Sequence, residues 1–218
     1  MIELYFYPGA CSLVPHAALE IVRAETGEDF EPKLVKIHKG ENKTAEYLAM
    51  NPDAQVPVLV VDGKPLTQIV AICDYLDRRH PKLGLLPADP WTRAIAMSQL
   101  AWMNNTAHPT FTHVFAAGKF AESDDAKAEV RKVATDNFRK HLERIAGWAA
   151  GADPFWFGAR PSCHDVYALT LLRWGGLAGI DPDSLPAYKA LTERLAASPA
   201  VAAVMARERI ELNTFRKA

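Results

Sequence analysis

Cys11 is the residue best placed to do chemistry. It follows Pro8-Gly9-Ala10, where a strand must end, and it stands where a helix must begin. At a helix start the unpaired backbone N–H groups and the helix dipole favour a thiolate over a thiol. Ser12 adds a hydroxyl and a further N–H. Two readings of Cys11 stay open on these grounds, a reactive thiol or a side chain that fills space under the loop. Cys73 falls on the apolar stripe of a later helix and Cys163 in a capping turn, so both read as packing residues. No Cys-x-x-Cys pair is present, so disulfide chemistry would have to borrow its second thiol from a small molecule.

Val56-Pro57 is the second feature. Pro57 has no N–H and so belongs at a strand start. A cis bond there would turn the Val56 backbone outward to pair with an extended ligand, whereas a trans bond would make it an ordinary strand start. The seven histidines are scattered, none in a His-x₃-His pair and none with cysteine at metal-ligand spacing, so no metal site is expected. Trp102, Met103, Phe111 and Phe115 have the spacing of an apolar pocket wall, and equally that of a helix-packing core.

The elements that must carry these residues change character along the chain. Residues 1–80 alternate strands and helices. A strand over 2–7 leads to a helix of roughly 13 residues from Ser12, with Pro15 in its first turn. A strand over 30–37 and a short helix over 44–50 follow, then a strand over 57–61, a hairpin turn at Asp62-Gly63, and a helix with apolar residues at 69, 72, 73 and 76. Residues 81–90, with prolines at 81, 87 and 90 and a glycine at 84, read as a linker. Beyond it the pattern is helical, over about 90–118, 125–150, 163–179, 185–197 and 199–212. In the second of these helices Val130, Val133, Phe138, Leu142 and Ile145 are expected on one buried face. Ser162-Cys163-His164-Asp165 is a capping box for a central, nearly all-apolar helix. The fold class is α+β: an α/β layer over 1–80 and an all-helical part over 91–218.

The 218 residues are 49% hydrophobic and 23% charged, with net charge −1, which excludes a disordered chain. Residues 1–80 hold 8 basic and 12 acidic residues and residues 81–218 hold 17 and 14, so no positive field offers itself to nucleic acid or an anionic membrane. No apolar run approaches the roughly 18 residues of a membrane span, and the N-terminus has no basic-then-apolar leader. The expectation is a soluble cytoplasmic protein.

These segments together resemble one family. Tyr7-Pro8-Gly9-Ala10-Cys11-Ser12-Leu13, Asn51-Pro52-Asp53-Ala54-Gln55-Val56-Pro57-Val58-Leu59 and Leu66-Thr67 before Val70-Ala71-Ile72-Cys73-Asp74-Tyr75-Leu76 are similar to the cytosolic glutathione transferases, most of all the bacterial beta class with its Cys-Ser helix start. His108-Pro109 and Arg160-Pro161-Ser162-Cys163-His164-Asp165-Val166-Tyr167 continue the likeness through the second half. The resemblance implies a thioredoxin-like N-terminal domain, an all-helical C-terminal domain and a homodimer. It also implies glutathione as cosubstrate for conjugation to a small apolar electrophile, with disulfide reduction through Cys11 as a second activity. Cys11 would then face the glutathione sulfur with Ser12 beside it, and His108 would line the cleft. Val56, before a cis-Pro57, would pair with the cysteinyl backbone, and Lys39 would meet the glycyl carboxylate.

One pair departs from the family pattern. Gln68-Ile69 stands where an acidic residue and a small residue usually hold the γ-glutamyl end. Gln68 can donate a hydrogen bond to a carboxylate but cannot pair with an ammonium, and Ile69 offers only its backbone N–H. Losing such a charge-assisted bond costs about 1.5–3 kcal/mol, or about 10- to 150-fold in affinity. This departure motivates the alternative, a non-catalytic binding or regulatory protein that has kept the fold.

Overall fold

A computed structural model describes residues 1–217. The first half is built on a four-stranded sheet in the order β2-β1-β3-β4, with β1 (Ile2–Phe6), β2 (Glu31–Leu34), β3 (Val58–Val61) and β4 (Lys64–Thr67). β1 and β2 are parallel, joined by α1 (Leu13–Thr26), and the other two pairings are antiparallel. Asp62 and Gly63, both at positive φ, make the two-residue turn between β3 and β4. Leu4 and Leu59 pair in register and are both fully buried. α1 and α3 (Ile69–Arg79) bury their apolar stripes in the same core, and Cys73 is wholly enclosed there. α2 (Ala45–Met50) begins at Thr44, whose hydroxyl accepts the Tyr47 N–H.

After an irregular stretch over 80–89 come α4 (Pro90–Trp102), α5 (His108–Phe115), α6 (Asp124–Ala149), α7 (Cys163–Leu177), α8 (Pro186–Ala196) and α9 (Pro199–Glu208). The capping box forms as expected, Ser162 and Asp165 each taking the other's backbone N–H. α7 is buried from Cys163 to Gly176, which is why its sequence is apolar nearly all round.

Three helix expectations change. The single helix over 90–118 is α4, a π-turn over Met103–Ala107 and α5. Pro109 has no N–H to give to a preceding carbonyl and its ring crowds the turn before it, so the backbone widens there. In α6 the buried face is Ala134, Phe138, Leu142, Ile145 and Ala149, whereas Val133 is exposed and Val130 half-buried. Val133 precedes Ala134 by one residue, a turn of about 100° that carries it off the face. α9 stops at Glu208 because Arg209 takes a left-handed conformation. Ile210 and Leu212 therefore pack against the core from an extended tail.

Candidate active site

Six of the residues singled out by sequence converge on one open cleft of about 320 Å³, and Ser12 and Lys39 stay outside it. Cys11 comes from the start of α1, Val56 and Pro57 from the segment before β3, Gln68 and Ile69 from the start of α3, and His108 from α5. The Val56–Pro57 bond is cis. Val56 donates its N–H to no acceptor among the described residues, while its carbonyl accepts the Cys11 Sγ–H at 3.4 Å. The turn is held from behind: Tyr47 Oη and Asn51 Nδ2 both donate to Gln55 O, at 2.7 and 2.8 Å, and Asn42 Nδ2 donates to Ala54 O at 2.8 Å.

The electrostatics at Cys11 reverse one expectation. The N–H groups of Cys11 and Ser12 do favour an anionic sulfur, as a helix start should. Burial outweighs them, and the thiol is pushed up to about 12. The side chain reaches solvent in part, yet the sulfur is ringed by protein and uses its proton on Val56 O. The resting group is a thiol.

Ser12 contributes through its backbone alone. Its hydroxyl is fully buried away from the cleft, accepting the Tyr7 N–H at 3.1 Å and donating to Tyr7 O at 3.2 Å. It braces the loop between β1 and α1. Lys39 ends an exposed turn over Ile37–Lys39 and does not line the cleft. Gln68 does, with φ +72 and ψ 120, a conformation that favours glycine, so this side chain is fixed there against its backbone preference. Behind it Ile69 opens α3 at the edge of the cleft, and the first turn of that helix holds no acidic residue to offset the partial positive charge of its unpaired N–H groups.

His108 is half-buried at the far wall. Its Nδ1 lies 3.0 Å from Tyr167 Oη, which donates onward to Asn104 Oδ1 at 3.2 Å. Burial lowers its pKa to about 4, so the ring is neutral near pH 7. Among the described residues no three His, Cys, Asp or Glu side chains gather to hold a metal ion. No described helix is long and apolar enough to cross a membrane.

The glutathione S-transferase N-terminal domain model matches residues 2–78. The glutathione S-transferase GST-4.5 of Xanthomonas campestris is 32% identical over 208 residues, 94% of this chain and 98% of its own length. The chain belongs to the glutathione S-transferase family. A sphingomonad glutathione S-transferase solved with glutathione is 33% identical with a TM-score of 0.79, covering 96% of this transferase-family chain and 100% of its own. The beta-class enzyme of Sphingomonas chungbukensis is 30% identical with the same TM-score of 0.79, covering 94% and 98%.

The cleft also includes residues that the sequence alone did not single out. Asn51, Gln55, Thr67 and Asn104 line the cleft. Asn51 carried a signal, since an Asn before Pro52 marks a turn whose side chain bonds its own backbone, and Asn51 Oδ1 does accept the Asp53 N–H at 3.2 Å. Asn104 and Tyr167 carried none, because the run from His108 through Tyr167 to Asn104 depends on how α5 and the turn before it meet α7.

Proposed function

We propose that this chain is an enzyme that binds glutathione in the cleft and conjugates it to small apolar electrophiles. The observation that carries the reading is the pair of backbone N–H groups at Cys11 and Ser12, which favour negative charge on a sulfur at the cleft floor. Glutathione would lie along the Val56–Pro57 segment, with the free Val56 N–H pairing with its cysteinyl carbonyl. Its γ-glutamyl carboxylate would meet the N-terminus of α3, beside Gln68. A sulfur at the rim would feel the same N–H groups without the burial that keeps the Cys11 thiol protonated, and so would ionise more readily. The thiolate then attacks the electrophile, with neutral His108 orienting the sulfur or the leaving group.

Reduction of disulfides through Cys11 is the second activity, and the burial of that thiol disfavours it relative to conjugation. Cys11→Ala should abolish disulfide reduction and leave most conjugation intact. The alternative, a non-catalytic binding protein, draws support from Gln68, since the cleft is lined by no acidic side chain. Turnover of 1-chloro-2,4-dinitrobenzene with glutathione, together with a thermal-shift titration in glutathione, separates the two. Logarithmic stabilisation with turnover supports the enzyme. Stabilisation without turnover of any electrophile supports the binding protein, and no stabilisation at all removes glutathione from both readings.

We read residues 1–80 and 91–218 as the two domains, joined by 81–90, and the active form as a cytoplasmic homodimer. Exposed Trp91 and Ile95, one turn apart on α4, are apolar surface suited to a second copy. Sedimentation of the wild type and of Trp91→Glu tests that contact.

A further inference from the structure

One row of aromatic rings leaves the cleft and ends at the surface. His108 packs against Trp174 with ring centroids 4.8 Å apart. Trp174 lies nearly parallel to Phe111, at 4.8 Å and 15°, and Phe111 nearly parallel to Phe115, at 6.1 Å and 17°. His108, Phe111 and Phe115 recur at i, i+3 and i+7, so α5 carries them on one stripe. Phe111 and Trp174 are buried, whereas Phe115 is 76% exposed. Phe120, also exposed, stacks on His113 at 3.9 Å and so is already paired on one face. Phe115 instead continues the row that starts at the cleft, with most of its ring left to solvent.

The rise of a helix puts Phe115 roughly 10 Å along α5 from His108. A single ring bonded to a sulfur beside His108 falls short of it, and two rings in line reach it. We infer that Phe115 determines specificity for the electrophile, and that the favoured electrophiles are elongated two-ring aromatic compounds whose distal ring stacks on Phe115. The inference rests on the glutathione-transferase reading above. The reaction is unchanged: the sulfur–carbon bond forms at the proximal end and the leaving group departs with its electron pair. Phe115 touches only the distal ring, so it acts on binding of the electrophile and not on the sulfur.

Calorimetric binding of S-benzylglutathione, S-(4-phenylbenzyl)glutathione and S-octylglutathione to the wild type, Phe115→Ala and Phe115→Leu tests this without needing turnover. A lost aromatic stack corresponds to about 2- to 13-fold in affinity. Phe115→Ala should weaken the two-ring conjugate about fivefold and leave S-benzylglutathione within about twofold. Phe115→Leu keeps apolar area but no ring face, so it should restore S-octylglutathione and leave the two-ring conjugate weak. Equal effects on all three ligands, or none, overturn the inference. So does a shift of Phe115→Ala from dimer to monomer at unchanged selectivity, which would make Phe115 a subunit contact. If neither glutathione nor any conjugate binds the wild type, the transferase reading has failed and this inference falls with it.

Discussion

Glu208, on the last turn of α9, accepts the Gly9 N–H on Oε2 at 2.8 Å although 199 residues separate the two. Its Oε1 lies 2.7 Å from His16 Nδ1, and since a carboxylate only accepts, that nitrogen carries the proton. Arg207 closes the network, with one nitrogen 3.3 Å from His16 Nε2 and an ion pair to Glu20. The Gly9 carbonyl is held as well, accepting Trp174 Nε1–H at 3.0 Å. Both backbone groups of the residue two before Cys11 are thus fixed by the helical half of the chain.

Glu208→Gln should therefore affect both stability and catalysis. The glutamine oxygen can keep Gly9, but its NH₂ then faces the His16 N–H, leaving a buried donor unpaired at a cost of about 1–3 kcal/mol. Urea denaturation reads that loss. Because the loop carries the Cys11 and Ser12 N–H groups, kcat for conjugation should fall about tenfold while glutathione affinity changes less. Unchanged kcat in a destabilised variant would show that Glu208 supports the fold without positioning the loop.

Gly176→Ala should release the C-terminal tail. A Cβ there would sit 2.4 Å from Thr214 Oγ1 and 2.6 Å from the Phe215 backbone nitrogen, and the second of these cannot move without moving the chain. Overpacking of this kind costs about 1–3 kcal/mol, or roughly 2–12 °C in Tm for a chain of this size. Proteolysis near residue 213 should quicken in the variant. An unchanged cleavage pattern would mean that α7 yields instead of the tail.

The cleft was legible where the chain punctuates itself. Pro8-Gly9 ends a strand, Cys11-Ser12 opens a helix, Pro57 opens a strand and Gln68 precedes a helix, so each rim announces itself within a few residues. The sheet and α7 were legible for the same reason, through alternation, the Asp62-Gly63 turn and the capping box. What stayed hidden depends on contact between distant segments. Nothing near Ser12 tells that its hydroxyl turns back to Tyr7, and nothing near Cys11 tells that burial will overcome its helix N-terminus. Ile210 and Leu212 continue an apolar pattern that suits a helix equally well, and only the turn at Arg209 makes them a tail.

Asp77 ties the two halves together and should be costly to neutralise. Buried on α3, it accepts the Leu86 N–H at 3.0 Å and an Arg93 guanidinium nitrogen at 2.6 Å, and Arg93 also pairs with Asp74. Breaking a buried ion pair by removing one partner costs about 3–5 kcal/mol, and the partial exposure of Arg93 places this one near the lower end. Asp77→Asn and Arg93→Met should each destabilise the protein, and the double variant should lose less than their sum. Strict additivity in a double-mutant cycle would show that the pair is not coupled.

Acid should weaken the fold through His164 from about pH 6.5 downwards. Its Nε2–H donates to Ala96 O at 2.8 Å, while Nδ1 is buried with no hydrogen-bond partner among the described residues. Protonating Nδ1 would bury a charge and an unpaired donor, and burial lowers the pKa from 6.5 to about 4. The unfolded chain takes up this proton below pH 6.5 and the folded chain only near pH 4. Stability is therefore greatest above pH 6.5 and falls as the pH drops from 6.5 towards 4, by about 3 kcal/mol for this residue. His108 acts in the same direction, more weakly because its ring reaches solvent. In urea denaturation at stepped pH, His164→Gln should flatten the slope between pH 6.5 and 4.5 while lowering stability at pH 7.5 through its poorer fit. An identical slope in wild type and variant would mean that His164 takes up its proton in the folded state as readily as in the unfolded one.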